Sequence, residues 1–362
     1  MKTRQAILER SSSFARRLQL RVPILLAPMA GACPVSLSVA VANAGGMGAC
    51  GTLLMSPTQI SDWVLAFRES SNGCFQLNNW IPDPVMAAEA MQERQLRTFL
   101  ASWEAEMGGS DSQEASSATP DFEEQCEAML AAEPAVISSI MGVYPEPMVA
   151  EMKHRGILWF ATATTVAEAI EAATAGADVI VAQGMEAGGH RGAFNPADAE
   201  TSLVGLFSLL PAIVDAVDVP VVATGGISDA RGVAAALMLG ASGVQVGTGF
   251  LRADESGIAP VWADAIARTA PEDTVATRAF SGRLGRSIRT RYVTEASAAG
   301  APAPAPYPMQ RALTKGMRDA ATRAGNLDGM QVWAGQSSKL ARAAPAEVIV
   351  DDLWLGALDR LT

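Results

Sequence analysis

The sequence is poor in cysteine, histidine and charged residues. It has four cysteines and two histidines among 362 residues, and none of the cysteines forms a C-x-x-C pair, so we expect no metal site. Cys33, Cys50 and Cys74 lie in or beside apolar segments and are expected to be small buried side chains in a reducing compartment. With 49% hydrophobic and 18% charged residues, a disordered or disulfide-stapled chain is excluded.

Long apolar runs and excess positive charge are also lacking. No uninterrupted apolar stretch reaches the roughly 18 residues of a membrane-spanning helix. The net charge of -11 disfavours nucleic acid and anionic lipid as partners. Residues 1–22 do carry six basic residues against Glu9, and this resembles a mitochondrial presequence. Because arginines interrupt every apolar pair and a predicted strand follows at once, we interpret the segment as a basic helix of a cytoplasmic protein.

Eight short apolar runs ending in glycine or proline recur along the chain, with helical patterns between them. This order is typical of parallel strands joined by crossover helices, and it predicts a closed (β/α)₈ TIM barrel. An open doubly wound sheet is the alternative. Such a sheet does not need eight strand–helix units, and the G-x-G-x-x-G motif that is typical after its first strand is missing here. The eight predicted strands are residues 23–29, 47–54, 74–80, 135–141, 157–164, 178–184, 219–226 and 242–250.

Two stretches interrupt this pattern. Residues 83–133 hold 12 acidic residues against Arg94 and Arg97, and they predict an acidic, solvated insertion after the third strand. Its residues 85–107 read as a helix, and residues 108–120 read as a mobile linker. Residues 251–362 continue past the eighth strand. We expect a barrel of residues 1–250 and a helical extension of residues 251–362 that covers the barrel mouth as a lid and returns to the barrel.

The chemistry of such barrels lies at the carboxyl ends of the strands. The sixth predicted strand runs into AQGMEAGGHRG at residues 182–192, which places His190 at the mouth. An imidazole with a pKa of about 6.5 accepts a proton at neutral pH, so His190 is the candidate catalytic base. The alternative is a structural histidine in a loop. His154, at the end of the helix before the fifth strand, is expected on the surface.

Glycine-rich sequences follow the seventh and eighth predicted strands. They are ATGGIS at residues 223–228 and QVGTG at residues 245–249. Loops at these two places in (β/α)₈ barrels bind phosphate through backbone N–H groups. Two glycine-rich ends on neighbouring strands therefore predict a phosphate cradle rather than ordinary tight turns.

These motifs resemble the nitronate monooxygenases, formerly called 2-nitropropane dioxygenases, which are FMN-dependent barrels. The resemblance runs from about residue 14 to the C-terminus. EAGGHRG at residues 186–192 is its most specific motif. The others are PILLAPMAG at residues 23–31, ATGGI at 223–227, GVQVGT at 243–248, FSGRLGR at 280–286 and WAGQS at 333–337.

The resemblance implies a role for residues at several strand ends. His190 would accept a proton near N5 of the flavin. Tyr307, Lys315 and Gln336 would contact the substrate, whose identity is left open by the acidic insertion and by QLNNW at residues 76–80, where a less polar strand end is usual. The implied FMN contacts are Met29, Gly31, Asn78, Gln183, Gly188, Gly189, Gly225, Gly226, Gln245, Gly247 and Thr248.

Three functions stay open at this point. The first is a nitronate monooxygenase that oxidises alkyl nitronates or nitroalkanes with O₂ to a carbonyl compound and nitrite. The second is an FMN-dependent reductase of the enoyl-acyl-carrier-protein or quinone type, because NAD(P)H can reduce a flavin without a Rossmann fingerprint. The third is a phosphate-binding barrel without redox activity. The sequence leaves the oligomeric state open.

Overall fold

Eight parallel strands form the centre of the molecule. The computed structural model describes residues 2–84, 90–108 and 120–361. The strands are β1 Ile24–Leu26, β2 Gly48–Gly51, β3 Phe75–Trp80, β4 Val136–Ile140, β5 Leu158–Ala163, β6 Val179–Gln183, β8 Val221–Thr224 and β9 Gly243–Val246. They pair in the order β1-β9-β8-β6-β5-β4-β3-β2, and a bridge between Leu25 and Met47 joins the two outer strands, which confirms the predicted barrel.

Three further strands form a small antiparallel sheet beside the barrel mouth, in the order β10-β11-β7. They are β7 Gly189–His190, β10 Thr274–Thr277 and β11 Gly285–Ile288. β7 follows barrel strand β6, whereas β10 and β11 belong to the C-terminal extension. The small sheet therefore ties the extension to the segment that carries His190.

Helices surround the barrel and build the extension. α1 Lys2–Arg17 precedes the first strand, as predicted for the basic segment. The predicted helices of residues 165–175 and 230–239 are confirmed as α7 Val166–Thr174 and α9 Ala230–Met238. The remaining α-helices of the described residues are α2 Val35–Asn43, α3 Pro57–Ser70, α4 Ala90–Glu106, α5 Phe122–Ala131, α6 Glu146–His154, α8 Leu206–Val214, α10 Pro260–Arg268, α11 Arg291–Ala296, α12 Met309–Leu313, α13 Lys315–Ala324 and α14 Ala346–Arg360.

The ends of these helices follow their local sequence. In α7, the Thr165 side chain accepts from the Glu168 N–H and the Glu168 carboxylate accepts from the Thr165 N–H, a reciprocal cap. Gly176 and Gly240 follow the last turns of α7 and α9 with φ of +103° and +112°, a conformation that favours glycine. His154 ends α6 and is exposed, as predicted.

The barrel interior changes from apolar to polar along the strands. Because side chains alternate between the two faces of a strand, every second residue points inward. Near the amino ends these are residues such as Leu25, Val136 and Phe160, which pack with Phe14 and Leu18 at and just after the end of α1. Near the carboxyl ends the inward residues are polar. They are Asn78, Ser138, Thr162, Gln183, Thr224 and Gln245.

A second hydrophobic core lies in the C-terminal extension, and α4 contributes to it. Leu96, Leu100, Trp103 and Met107 are buried there and pack with helix α13. The expectation of a wholly solvated acidic insertion is therefore wrong. Their spacing of four, three and four residues makes one apolar helix face, which the many acidic residues of the segment obscured. Residues 85–89 of the predicted helix and residues 109–119 of the predicted linker lie outside the described residues.

Replacement of Trp103 by Ala tests this packing. Trp103 is 2% exposed, its ring lies 5.3 Å from that of Tyr292, and the Arg291 guanidinium lies 4.3 Å from its centroid. Removing a buried tryptophan leaves a cavity, so we expect the free energy of unfolding to fall by about 3–5 kcal/mol in urea denaturation. Phe207→Ala, at a residue 74% exposed, is the control and should change it by less than about 0.5 kcal/mol. Equal effects would contradict this role for α4.

The end of the chain returns to the barrel. In α14, Ile349, Val350 and Leu353 are buried in the same core as the barrel strands, and the helix packs against α2 and α9. The division into a barrel of residues 1–250 and an extension of residues 251–362 stays a prediction. None of the described helices combines the length and the apolar character needed to cross a lipid bilayer.

Candidate active site

A cavity of about 470 Å³ opens at the carboxyl ends of the barrel strands. All the residues that the sequence suggested as base or cofactor contacts line this one cavity. Among the described residues no group of three or more His, Cys, Asp or Glu side chains is placed to hold a metal ion. The predicted residues that line the cavity are Met29, Gly31, Asn78, Gln183, Gly188, Gly189, His190, Gly225, Gly226, Gln245, Gly247 and Thr248.

The backbone of His190 is held from two sides. β7 pairs with β11, with His190 opposite Gly285. Gln183, at the end of β6, donates from Nε2 to the His190 carbonyl oxygen at 3.0 Å and accepts at Oε1 from the Gly192 N–H at 2.8 Å. Gln183 therefore uses its amide to fix the loop that carries the histidine, although it also borders the cavity.

The His190 ring lies between aromatic side chains and a hydroxyl. Its centroid is 4.7 Å from that of Trp80 and 4.9 Å from that of Trp333, both in edge contacts. Nε2 lies 2.7 Å from the Ser281 hydroxyl. Burial, together with the positive charges of Arg283 and Arg311, lowers the pKa of His190 to about 3. The imidazole is therefore neutral at physiological pH and carries a free electron pair on one nitrogen.

The FSGRLGR motif supplies the support for this ring. The Ser281 hydroxyl also lies 3.2 Å from the Arg283 carbonyl oxygen. When it donates its hydrogen there, it accepts from His190 Nε2, and the electron pair is left on Nδ1. The guanidinium of Arg283 is buried, donates to the Ala193 carbonyl oxygen at 2.8 Å, and pairs with Asp83, with 2.8 Å between Nε and Oδ2.

The ends of β8 and β9 form the glycine-rich wall. Gly225 and Gly226 have φ of +101° and +71°, which few other residues adopt without strain. At Gly247 a Cβ would make only ordinary contacts, 3.4 Å from the Ala27 Cβ and 3.5 Å from the Met29 sulfur. Glycine at 247 therefore leaves space in the cavity rather than relieving a clash.

The C-terminal extension completes this wall with its backbone. Gly335 donates from N–H to Thr248 Oγ1 at 3.0 Å, and the Gln336 N–H donates to the Glu186 carbonyl oxygen at 2.9 Å. A Cβ on Gly188 would lie 2.5 Å from the Gly335 nitrogen, so this approach requires glycine. The WAGQS motif thus closes the cavity on the side of the glycine-rich strand ends.

The three predicted substrate contacts do not line the cavity. Tyr307 packs its ring 5.1 Å from that of Trp80, and its hydroxyl is buried without a hydrogen-bond partner among the described residues. Lys315 is exposed and pairs with Asp319 at 2.5 Å. Gln336 is held through its backbone, and its neighbours Gly335 and Ser337 line the cavity instead.

Sequence reasoning missed several residues of the cavity wall. Trp80 and Trp333 stand in segments that were singled out, QLNNW and WAGQS, but they were given no role. Arg311 on α12 and Arg318 on α13 also line the cavity. The available signal was the group of four basic residues between positions 311 and 323 in a strongly acidic chain.

Comparison with known proteins identifies the family of this chain. A sequence profile described as nitronate monooxygenase matches residues 12–356. A probable nitronate monooxygenase of Staphylococcus aureus (strain MSSA476) is 35% identical over 340 residues, which cover 94% of this chain and 95% of that protein.

Solved structures give the same picture. A nitroalkane oxidase from Streptomyces ansochromogenes superposes with a TM-score of 0.86 at 34% identity, covering 96% of this chain and 98% of that one. FabK from Thermotoga maritima gives 0.74 at 26% identity, covering 96% of each chain. With the profile match over nearly its whole length, this chain belongs to the nitronate monooxygenase family and is an oxidoreductase.

Proposed function

We propose that this protein is an FMN-dependent nitronate monooxygenase. It would oxidise an alkyl nitronate or nitroalkane with O₂ and release a carbonyl compound and nitrite. The observation that carries the proposal is that one cavity collects a neutral histidine, several amide side chains and two glycine-rich strand ends. The histidine can accept a proton, the amide side chains can hydrogen-bond to a flavin ring, and the glycine-rich strand ends can bind a single phosphate.

The polar groups of the cavity suit a flavin. Gln76 donates to Gln245 Oε1 at 3.0 Å, which leaves the Gln245 amino group as a donor. Asn78 donates from Nδ2 to the Ser138 hydroxyl at 3.0 Å, which leaves its Oδ1 as an acceptor. The pyrimidine edge of a flavin needs both kinds of partner. These two side chains would hold that edge.

The remaining walls would hold the rest of the cofactor. Gly225, Gly226, Gly247 and Thr248 would face the ribityl chain and the phosphate, where backbone N–H groups bind anions. A Cβ on Gly31 would meet nothing within 4 Å, so this turn leaves room along the flavin. When bound, FMN would supply the redox chemistry, the transfer of electrons from the substrate to O₂.

His190 would take the proton from the α-carbon of a neutral nitroalkane. Its low pKa keeps it unprotonated and ready to accept at all physiological pH values, and the edge contacts with Trp80 and Trp333 limit access of water to the ring. A substrate that arrives as an anionic nitronate has already lost that proton. His190 would then serve mainly to position it.

The cofactor and the electron donor can be tested together. Heat release and chromatography of the cofactor should give one FMN per chain. Anaerobic mixing with an alkyl nitronate should bleach the flavin, and air should restore it with formation of nitrite. Bleaching by NADH or NADPH alone would favour the NAD(P)H-dependent reductase that the sequence left open. A protein that stays colourless after reconstitution with FMN would favour the binding barrel without redox activity.

A further inference from the structure

The side of the cavity built by the C-terminal extension carries two arginines, Arg311 and Arg318, and their surroundings differ. Arg318 donates from Nη1 to Gln331 Oε1 at 2.8 Å and from Nε to the Thr314 hydroxyl at 3.1 Å. Its Nη2 donates to the Arg311 carbonyl oxygen at 2.8 Å. Arg318 is thus a fixed part of the wall.

The guanidinium of Arg311 differs from that of Arg318. It lines the same cavity and is partly buried, yet it makes no hydrogen bond or ion pair with any residue that the structure describes. The nearby carboxylates are already engaged, because Asp319 pairs with Lys315 and Asp83 pairs with Arg283. A partly desolvated cation without a counter-ion is unfavourable, so an anion from outside the chain would stabilise it.

Arg311 is close to the residue that would do the proton chemistry. Its positive charge contributes to the lowered pKa of His190, and it lowers the pKa of Arg318 as well. An anion held at Arg311 would therefore lie within electrostatic reach of the imidazole and would offset the charge that disfavours its protonation.

We propose that Arg311 binds an oxyanion of the substrate. This inference rests on the proposed function for the nature of the substrate, but not for the existence of the anion site. The oxyanion could belong to the reacting nitronate group or to a carboxylate elsewhere on the substrate. A planar guanidinium with paired N–H donors suits both, since each presents two oxygens in one plane.

For the reacting group the proposal has a chemical consequence. When a neutral nitroalkane loses its α-proton, the C–H bond breaks, the proton moves to His190, and the electron pair of that bond moves onto the nitro oxygens. Positive charge at Arg311 would stabilise the negative charge that develops there. Arg311 would then aid the step that the low pKa of His190 makes difficult.

Anion binding can be measured without turnover. Trp80, Trp262 and Trp333 line the cavity, so tryptophan fluorescence of the flavin-loaded protein should report titration with nitrate and with acetate. We expect Arg311→Gln to weaken binding of these anions by about 10- to 100-fold. Arg311→Lys should weaken it by a smaller factor, because lysine keeps the charge but loses the paired planar donors. Arg323→Gln, an equal change at an exposed residue of α13 outside the cavity wall, should leave binding within about twofold.

Two substrates separate the sources of the oxyanion. With a simple alkyl nitronate and one that carries a terminal carboxylate, Arg311→Gln should raise KM for both if the nitronate group is bound, and only for the second if the carboxylate is bound. Unchanged anion titrations in Arg311→Gln, or equal losses in Arg323→Gln, would overturn the proposal. Anion binding that depends on Arg311 in a protein without nitronate oxidation would refute the proposed function and leave the site standing.

Discussion

Replacement of His190 by Asn is expected to slow anaerobic flavin reduction by a neutral nitroalkane by roughly 10²- to 10⁴-fold, with bound FMN retained. The neutral imidazole can accept a proton, and Asn keeps a polar side chain of similar reach without that capacity. Reduction by the preformed nitronate should be much less affected, since its α-proton is already gone. Single-turnover mixing in a stopped-flow instrument measures both rates on the same flavin.

The pH profile adds an independent check on this assignment. Because the pKa of His190 is lowered to about 3, its neutral form persists as the pH falls through 6.5. The rate with a neutral nitroalkane should therefore not fall at pH 6.5, as it would for an ordinary histidine, but only as the pH approaches 3. Ser281→Ala removes the hydroxyl that lies 2.7 Å from Nε2 and is the matched variant, with the base present but less well positioned.

Three results would count against His190 as the base. Equal slowing of the nitroalkane and the nitronate would indicate that the substrate is misplaced. An unchanged rate with both would remove the residue from the mechanism. Loss of FMN from the Asn variant would indicate that the ring mainly holds the cavity together through its contacts with Trp80 and Trp333.

Replacement of Gly247 by Asp is expected to prevent FMN from binding while the protein stays folded. A side chain at this position would enter the cavity, and its Cβ would make only ordinary contacts with Ala27 and Met29, so we expect little change in thermal stability. A carboxylate there would repel the phosphate that we propose for this wall. Two unit charges 4 Å apart near a protein surface repel by about 4 kcal/mol, which corresponds to a nearly thousandfold loss of affinity.

The neutral variant Gly247→Asn separates charge from size. Asn occupies the same volume as Asp, so it should weaken FMN binding far less if electrostatic repulsion is the cause. Flavin absorbance after dialysis and titration of the apoprotein with FMN measure both variants. A fully yellow Asp variant would refute the placement of the phosphate, and equal losses with Asn and Asp would indicate that space alone decides.

Much of the fold and part of the site follow from local sequence. The barrel strands are short apolar runs because parallel strands are buried on both faces, and each run is long enough to be recognised by itself. The glycines at 225, 226 and 247 stand at the ends of such strands, and the histidine at 190 lies in the segment that follows β6. Since the strand ends of a closed barrel converge, the residues that follow them were predicted to meet, and they line one cavity.

Contacts between distant segments could not be predicted in this way. His190 meets Ser281 across 91 residues, and Asp83 meets Arg283 across 200. The apolar face of α4 was visible only after its partner α13 was known, because an acidic helix with four buried residues resembles a solvated one in composition. Lys315 was expected in the pocket, but α13 turns it outward to Asp319.

The sequence by itself determined the barrel, the polar character of the strand ends, and the glycines and histidine that mark the site. Only the tertiary structure decided that Gln183 holds a loop, that Arg311 rather than Lys315 lines the cavity, and that the pKa of the histidine is low. The physical reason is that hydrophobic periodicity and turn chemistry are properties of neighbouring residues. Burial, charge and the supply of hydrogen-bond partners are instead set by segments that meet only when the chain is folded.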